Sequence, residues 1–136
     1  MKHWVFLDYV SPAGNNAIAD WTEKELTLTE RQEFETLLEI LTKKKQWSQP
    51  EYKPISGHPG LGEIRWKSSE GTPLRVACIK GPGPGEYTLL MGFAHKDKVY
   101  DPPKPFVTAT KRKKLLARKE ATTCEHEEDD GEAGEV

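Results

Sequence analysis

Leu61-Gly62-Glu63-Ile64-Arg65-Trp66-Lys67, Leu74-Arg75-Val76-Ala77-Cys78-Ile79-Lys80 and Tyr87-Thr88-Leu89-Leu90-Met91-Gly92-Phe93-Ala94-His95 follow one another with short connections. The first run alternates. Ile64 and Trp66 point one way, and Glu63, Arg65 and Lys67 point the other, the period of a half-buried strand. Glu70-Gly71-Thr72 is turn chemistry. Gly81-Pro82-Gly83-Pro84-Gly85 cannot continue a hydrogen-bonded ladder and reads as a loop. The third run is apolar on both faces until its end, which predicts a central strand covered on both sides. Three such strands in succession make an antiparallel meander.

Working outward, Lys2 to Tyr9 is rich in Trp, Val, Phe and Tyr and reads as a first strand. Ser11-Pro12-Ala13-Gly14-Asn15-Asn16 is a loop whose asparagines can cap a helix over Ala17 to Leu26. Thr29, with Gln32 three residues on, reads as the start of a second helix. Its Phe34, Leu37, Leu38 and Leu41 repeat on one apolar face, and it ends near Lys45. Asp101-Pro102-Pro103-Lys104-Pro105 stops the third run, and Phe106 to Lys119 reads as a basic helix. The order strand, helix, helix, three strands, helix predicts an α+β domain over residues 1–119. Phe34, Leu37, Leu38, Leu41, Leu89, Met91 and Phe93 are expected in one buried cluster, because the second helix must cover the sheet. Residues 120–136 show no periodicity and read as a disordered acidic tail.

At 136 residues the chain has room for one domain and one modest core. No apolar run approaches the ~20 residues of a membrane span. Asp8 cuts the N-terminal apolar stretch too short for a signal peptide. Cys78 and Cys124 are too few for a disulfide scaffold and have no metal-ligand spacing. These features predict a cytoplasmic protein with no membrane partner, no metal and no cofactor. The formal net charge of -2 conceals a strong asymmetry. Residues 1–42 carry 3 basic and 8 acidic side chains, residues 43–119 carry 17 and 6, and residues 120–136 carry 8 acidic and no Lys or Arg. The basic middle is an electrostatic footprint for a polyanion. The acidic tail is either a solubilising segment or a competitor for that basic region.

Gly60-Leu61-Gly62-Glu63-Ile64-Arg65-Trp66, then Leu74-Arg75-Val76, then Leu89 to Lys96, then Pro105 and Ala109, form an ordered set. It resembles the phage-derived branch of the RelE/ParE toxin superfamily, close to HigB-type toxins. That family's usual pattern is a glutamate-leucine-arginine strand, a tyrosine-arginine strand, a strand ending glycine-phenylalanine-x-lysine-lysine, then a proline and a helix. Here Ile64 replaces the leucine, Leu74 stands where an aromatic often precedes the arginine, and His95 occupies the first lysine position, with Lys96 kept. The resemblance implies a RelE-like fold and a metal-independent mRNA endonuclease that blocks translation at the ribosome and is silenced by a helix-turn-helix antitoxin. The alternative is a non-catalytic protein of the same fold, a gyrase inhibitor or a degenerate phage protein acting by protein contact.

RNA cleaves itself when its own 2′-OH attacks the adjacent phosphate in line. A catalyst must move a proton from that hydroxyl and stabilise the charge that builds on the phosphate. Arg65 and Arg75 are candidate phosphate clamps, because guanidinium forks match phosphate oxygens. The other reading of Arg65 is a structural pair with Glu63. His95 is the candidate proton shuttle, with Lys96 beside it as a catalytic cation. His58 is a second histidine candidate, also readable as turn filler. Lys67, Lys98, Tyr100, Lys111 and Arg112 are candidate RNA-binding residues, Tyr100 by stacking on a base. Arg65, Lys67, Arg75 and His95 are expected to converge on one open face of the sheet.

Overall fold

A computed structural model of the chain describes residues 1–128. The elements are β1 (Val5–Val10), α1 (Ala17–Glu25), α2 (Leu28–Thr42), β2 (Tyr52–Pro54), β3 (Leu61–Lys67), β4 (Pro73–Lys80), β5 (Glu86–Lys96), β6 (Val99–Asp101), α3 (Pro105–Ala117) and β7 (Thr122–Glu125). The expected α+β architecture is present: the described residues form three helices on a seven-stranded, mostly antiparallel sheet. Asn16 caps α1, its side-chain oxygen accepting from the Ile18 and Ala19 amides. The capping box of α2 lies two residues earlier than Thr29 and Gln32. Thr27 Oγ1 accepts from the Glu30 amide at 3.1 Å, and Glu30 Oε1 accepts from the Thr27 amide at 3.0 Å. A carboxylate suits the positive end of a helix better than the Gln32 amide does. α3 takes Pro105 as its first residue, a position where the missing N–H costs nothing.

The sheet order is β2-β3-β4-β5-β1-β7, with β6 paired to the far end of β5. The expected meander is its centre. β3 pairs antiparallel with β4, and β4 with β5. β1 runs parallel to β5, so β5 is internal, as its two-sided apolarity predicts. The sequence reading missed β2, β6 and β7. Each is three or four residues long, too short to display a period.

Between β4 and β5 the register slips. Ala77 faces Met91, Cys78 faces Leu89, and Leu90 has no partner. This β-bulge reverses the alternation of β5. Leu89 joins Phe34, Leu37, Leu38 and Leu41 on the face covered by α1 and α2. Met91 and Phe93 lie on the other face, with Ala77, Tyr9 and Ala109 of α3. All seven expected core residues are buried, but they divide between two clusters instead of forming one. Arg112 Nη1 donates to the Leu90 carbonyl at 2.7 Å, holding the bulge from the α3 side. On the α1 side Gly92 is met by the Trp21 indole, so a Cβ there has no space.

The tail reading is corrected for its first half. Thr122 to Glu125 form β7 and pair antiparallel with β1. Beyond β7, His126 is clamped between two carboxylates: Nδ1 lies 2.8 Å from Asp8 Oδ1, and Nε2 lies 2.6 Å from Glu35 Oε1. Asn16 Nδ2 donates to the other Asp8 oxygen at 3.0 Å. Burial disfavours the charged ring, but the hydrogen bonds it donates to Asp8 and Glu35, with their charges, outweigh it and raise the His126 pKa from 6.5 to about 10. The imidazolium therefore stitches three distant segments together, and no local pattern near residue 126 announces this. Residues 129–136 of the expected tail lie outside the described residues.

Two stability predictions follow. Gly92→Ala should lower the unfolding free energy in urea titration by ~1–3 kcal/mol, the usual range for overpacking. His126→Ala should cost ~3–5 kcal/mol near neutral pH, because it removes a buried cation from between Asp8 and Glu35. Because the folded pKa is raised, the His126 contribution is whole below about pH 6.5 and is lost as pH rises through about 10. The gap between wild type and variant should close over that interval in thermal melts.

Candidate functional site

The register places the sequence-derived cations row by row. Arg65 of β3 faces Arg75 of β4, which faces Phe93 of β5. In the next row Lys67 faces Pro73, and β5 supplies His95 beyond Ala94. Arg65, Lys67, Arg75 and His95 therefore share one sheet face, the one that also carries Phe93. His95 gets there through the Leu90 bulge. Without that slip its side chain would stand on the helix-covered face of α1 and α2.

Glu63, one step back along β3, organises the arginines. Its Oε1 lies 3.3 Å from Arg65 Nε and 3.8 Å from Arg75 Nε. Arg65 Nε is buried and aligned with no acceptor among the described residues, so its link to Glu63 is an ion pair without a directed hydrogen bond. Both contacts use Nε, and among the described residues no hydrogen bond engages the terminal nitrogens of Arg65. Arg75 Nη1 also donates to the Leu74 carbonyl at 3.3 Å. The side chains of Arg65, Arg75 and Glu63 are 26%, 13% and 11% exposed, which makes this a half-sunken cluster and not a solvated fringe. Burial, then the neighbouring Arg65 charge, lowers the Arg75 pKa. A guanidinium under that stress gains most from an added anion.

Tyr100 of β6 lies over the same end. Its ring stacks on His95 at 4.4 Å and meets Phe93 and Phe106 edge-on. His95, Tyr100 and the two arginines thus place a titratable ring, an aromatic face and fixed cations within one patch.

Other expected residues do not join it. Lys96 is on the opposite face of β5, near Trp21, Glu25 and Glu30, because adjacent strand residues point apart. Lys98 is exposed in the turn between β5 and β6. Lys111 is exposed on α3, while Arg112 is half-buried, bonded to the Leu90 carbonyl and set over the Tyr9 ring at 5.2 Å. Arg112 is therefore a structural residue of the bulge. His58 lies against α3, 3.4 Å from Thr110 Oγ1 and tilted on Phe106, with that ring between it and Tyr100. The pairing of Arg65 with Glu63 was one of the two expected readings of that arginine and is present; that Glu63 also reaches Arg75 was not foreseen. The sequence reading also missed the Asp8–His126–Glu35 clamp, for which a carboxylate inside the apolar run of β1 was the signal.

β7 runs back toward the Val5 end of β1, and β1 is parallel to β5. Residue 128 therefore leaves the sheet at the Glu86 end, the end away from His95. Among the described residues no helix is long and apolar enough to cross a membrane, and no group of three or more His, Cys, Asp or Glu is arranged to hold a metal ion.

No protein family, characterised protein or solved structure significantly matches this chain. What fold and site define is a class: a mixed α+β domain with an arginine-rich, aromatic-edged sheet face.

Proposed function

We propose that this protein is a RelE-like toxin acting as a metal-independent endoribonuclease on mRNA at the ribosome. The observation that carries the reading is the row register that brings Arg65, Lys67, Arg75 and His95 onto one face, with Tyr100 beside them. In the proposed step, His95 takes the proton of the RNA 2′-OH. The O2′–P bond forms and the P–O5′ bond breaks, leaving a 2′,3′-cyclic phosphate, and the departing 5′ oxygen takes a proton from water. Arg65 and Arg75 bind the phosphate oxygens as charge grows on them, and Glu63 holds both guanidinium groups in position. Tyr100 stacks on a base of the single strand. The proposed silencing partner is a small helix-turn-helix antitoxin.

A second reading has its own observation. Glu63 pairs with both arginines, which is what a purely structural sheet-face cluster also does, so a non-catalytic protein of the same fold, working by protein contact, remains the rival. Expression of the chain in cells followed by mapping of RNA 5′ ends separates the two. New ends should appear with the wild type. Arg75→Ala should reduce them by at least ~2.7 kcal/mol of transition-state stabilisation, roughly a hundredfold. Lys96→Ala, on the other face, should cleave as the wild type does. Growth arrest without new RNA ends would overturn the nuclease and favour the binder.

A further inference from the structure

Beside the arginine cluster, around the open end of β3, lies a cavity of about 450 Å³ shared by Arg65 and Arg75. That is within the ~300–1,000 Å³ usual for small-ligand sites. β2 pairs no further along β3 than Ile64, and the cavity wraps this outer edge of β3: its apolar walls Leu37 and Trp66 belong to the α1/α2 face, Arg65 and Arg75 to the other, and Pro50 and Pro73 also line it. The Trp66 wall is rigid, since its indole is stacked on Phe34 at 5.3 Å. Besides the two arginines, its polar and charged lining groups are Gln49, Glu51 and Lys67. Glu51 is held by its backbone, whose carbonyl accepts from the Arg65 amide at 2.8 Å. Its carboxylate is 32% exposed and only loosely paired, with Lys44 Nζ at 3.9 Å.

We infer that this cavity is a nucleobase subsite that reads guanine beside the cleaved phosphodiester, with Glu51 recognising its Watson–Crick edge. The inference rests on the nuclease reading and adds the substrate class to it. Flat apolar walls suit an unstacked base of single-stranded RNA. Guanine alone among the four bases presents two adjacent donors, N1–H and N2–H, to one carboxylate, and charge-assisted paired hydrogen bonds of this kind are the strong ones. The Gln49 amide supplies a donor for O6. A base seated here puts its phosphate at the mouth, where Arg65 and Arg75 line the same cavity. Adenine offers no N1–H, and the pyrimidines offer no such pair of donors on one side of a carbonyl.

The test uses the full, isotopically labelled chain, titrated with the four ribonucleoside 5′-monophosphates and with inorganic phosphate. Guanosine monophosphate should shift the Trp66 indole and Gln49 amide signals and bind at least tenfold more tightly than the other three. Phosphate should shift only the Arg65 and Arg75 signals. Glu51→Gln keeps the backbone bond to Arg65, and its spectrum elsewhere should match the wild type. It should abolish the guanosine preference and leave the phosphate response intact, and RNA 5′ ends mapped with it should lose any preference for guanosine at the cut. An equal response to all four nucleotides, or phosphate alone reproducing the Trp66 shift, would overturn the subsite. Guanosine binding without RNA cleavage would leave the subsite standing as a binding pocket and sink the nuclease reading. Arg75-dependent cleavage without selective guanosine binding would do the reverse.

Discussion

Leu90 is the one residue between Met91 and Leu89 with no partner on β4, and the direction of every later side chain in β5 depends on that single extra residue. A strand has a side-chain period of two, so one inserted residue exchanges its faces. Before the bulge Leu89 packs under α2, and after it Phe93 and His95 look toward α3 and β6. The bulge is fastened on both sides. Arg112 bonds the Leu90 carbonyl from α3, and Trp21 of α1 fills the space over Gly92. A cation that sequence alone offered to RNA is thus used to hold the strand that carries the candidate site.

The same economy governs the two charged clusters. On the cation face one carboxylate, Glu63, sits among two arginines and keeps their Nε atoms in place. On the helix face one imidazolium, His126, sits between two carboxylates, Asp8 and Glu35. Each is an uneven triad in a partly or wholly desolvated place, where removing the odd member leaves like charges facing each other in low dielectric. The two differ in use. The His126 triad is closed, with both ring nitrogens engaged, and joins β1, α2 and the segment after β7. The Glu63 triad leaves the Arg65 side chain partly exposed and lining a cavity, which is why it is the candidate site and the other is architecture.

The polarity of the molecule follows from the parallel pairing of β1 with β5. It puts the cation rows at one end of the sheet and the end of β7 at the other. Lys2, Glu39 and Glu125 gather near that second end, beside His126. Glu125, Glu127 and Glu128 therefore lie at the end of the sheet away from Arg65 and Arg75.

From residue pattern alone, the meander, the helical faces of α1 and α2 and the parity of Glu63, Arg65 and Lys67 were legible, because each depends on neighbours within one turn or one strand. Asn16 as a cap and β5 as the covered strand were legible for the same reason. The division of the core into two clusters, the exclusion of Lys96 and Arg112 from the site and the ordering of Thr122 to His126 were decided only in three dimensions. Each turns on a register or a contact between residues far apart in sequence. Arg112 meets Leu90, and His126 meets Asp8 and Glu35, across separations that no local period can encode. A buried charge declares its partner only when the backbone has brought that partner within hydrogen-bond reach, and short strands such as β7 form only because an unpaired edge of β1 is already there to receive them.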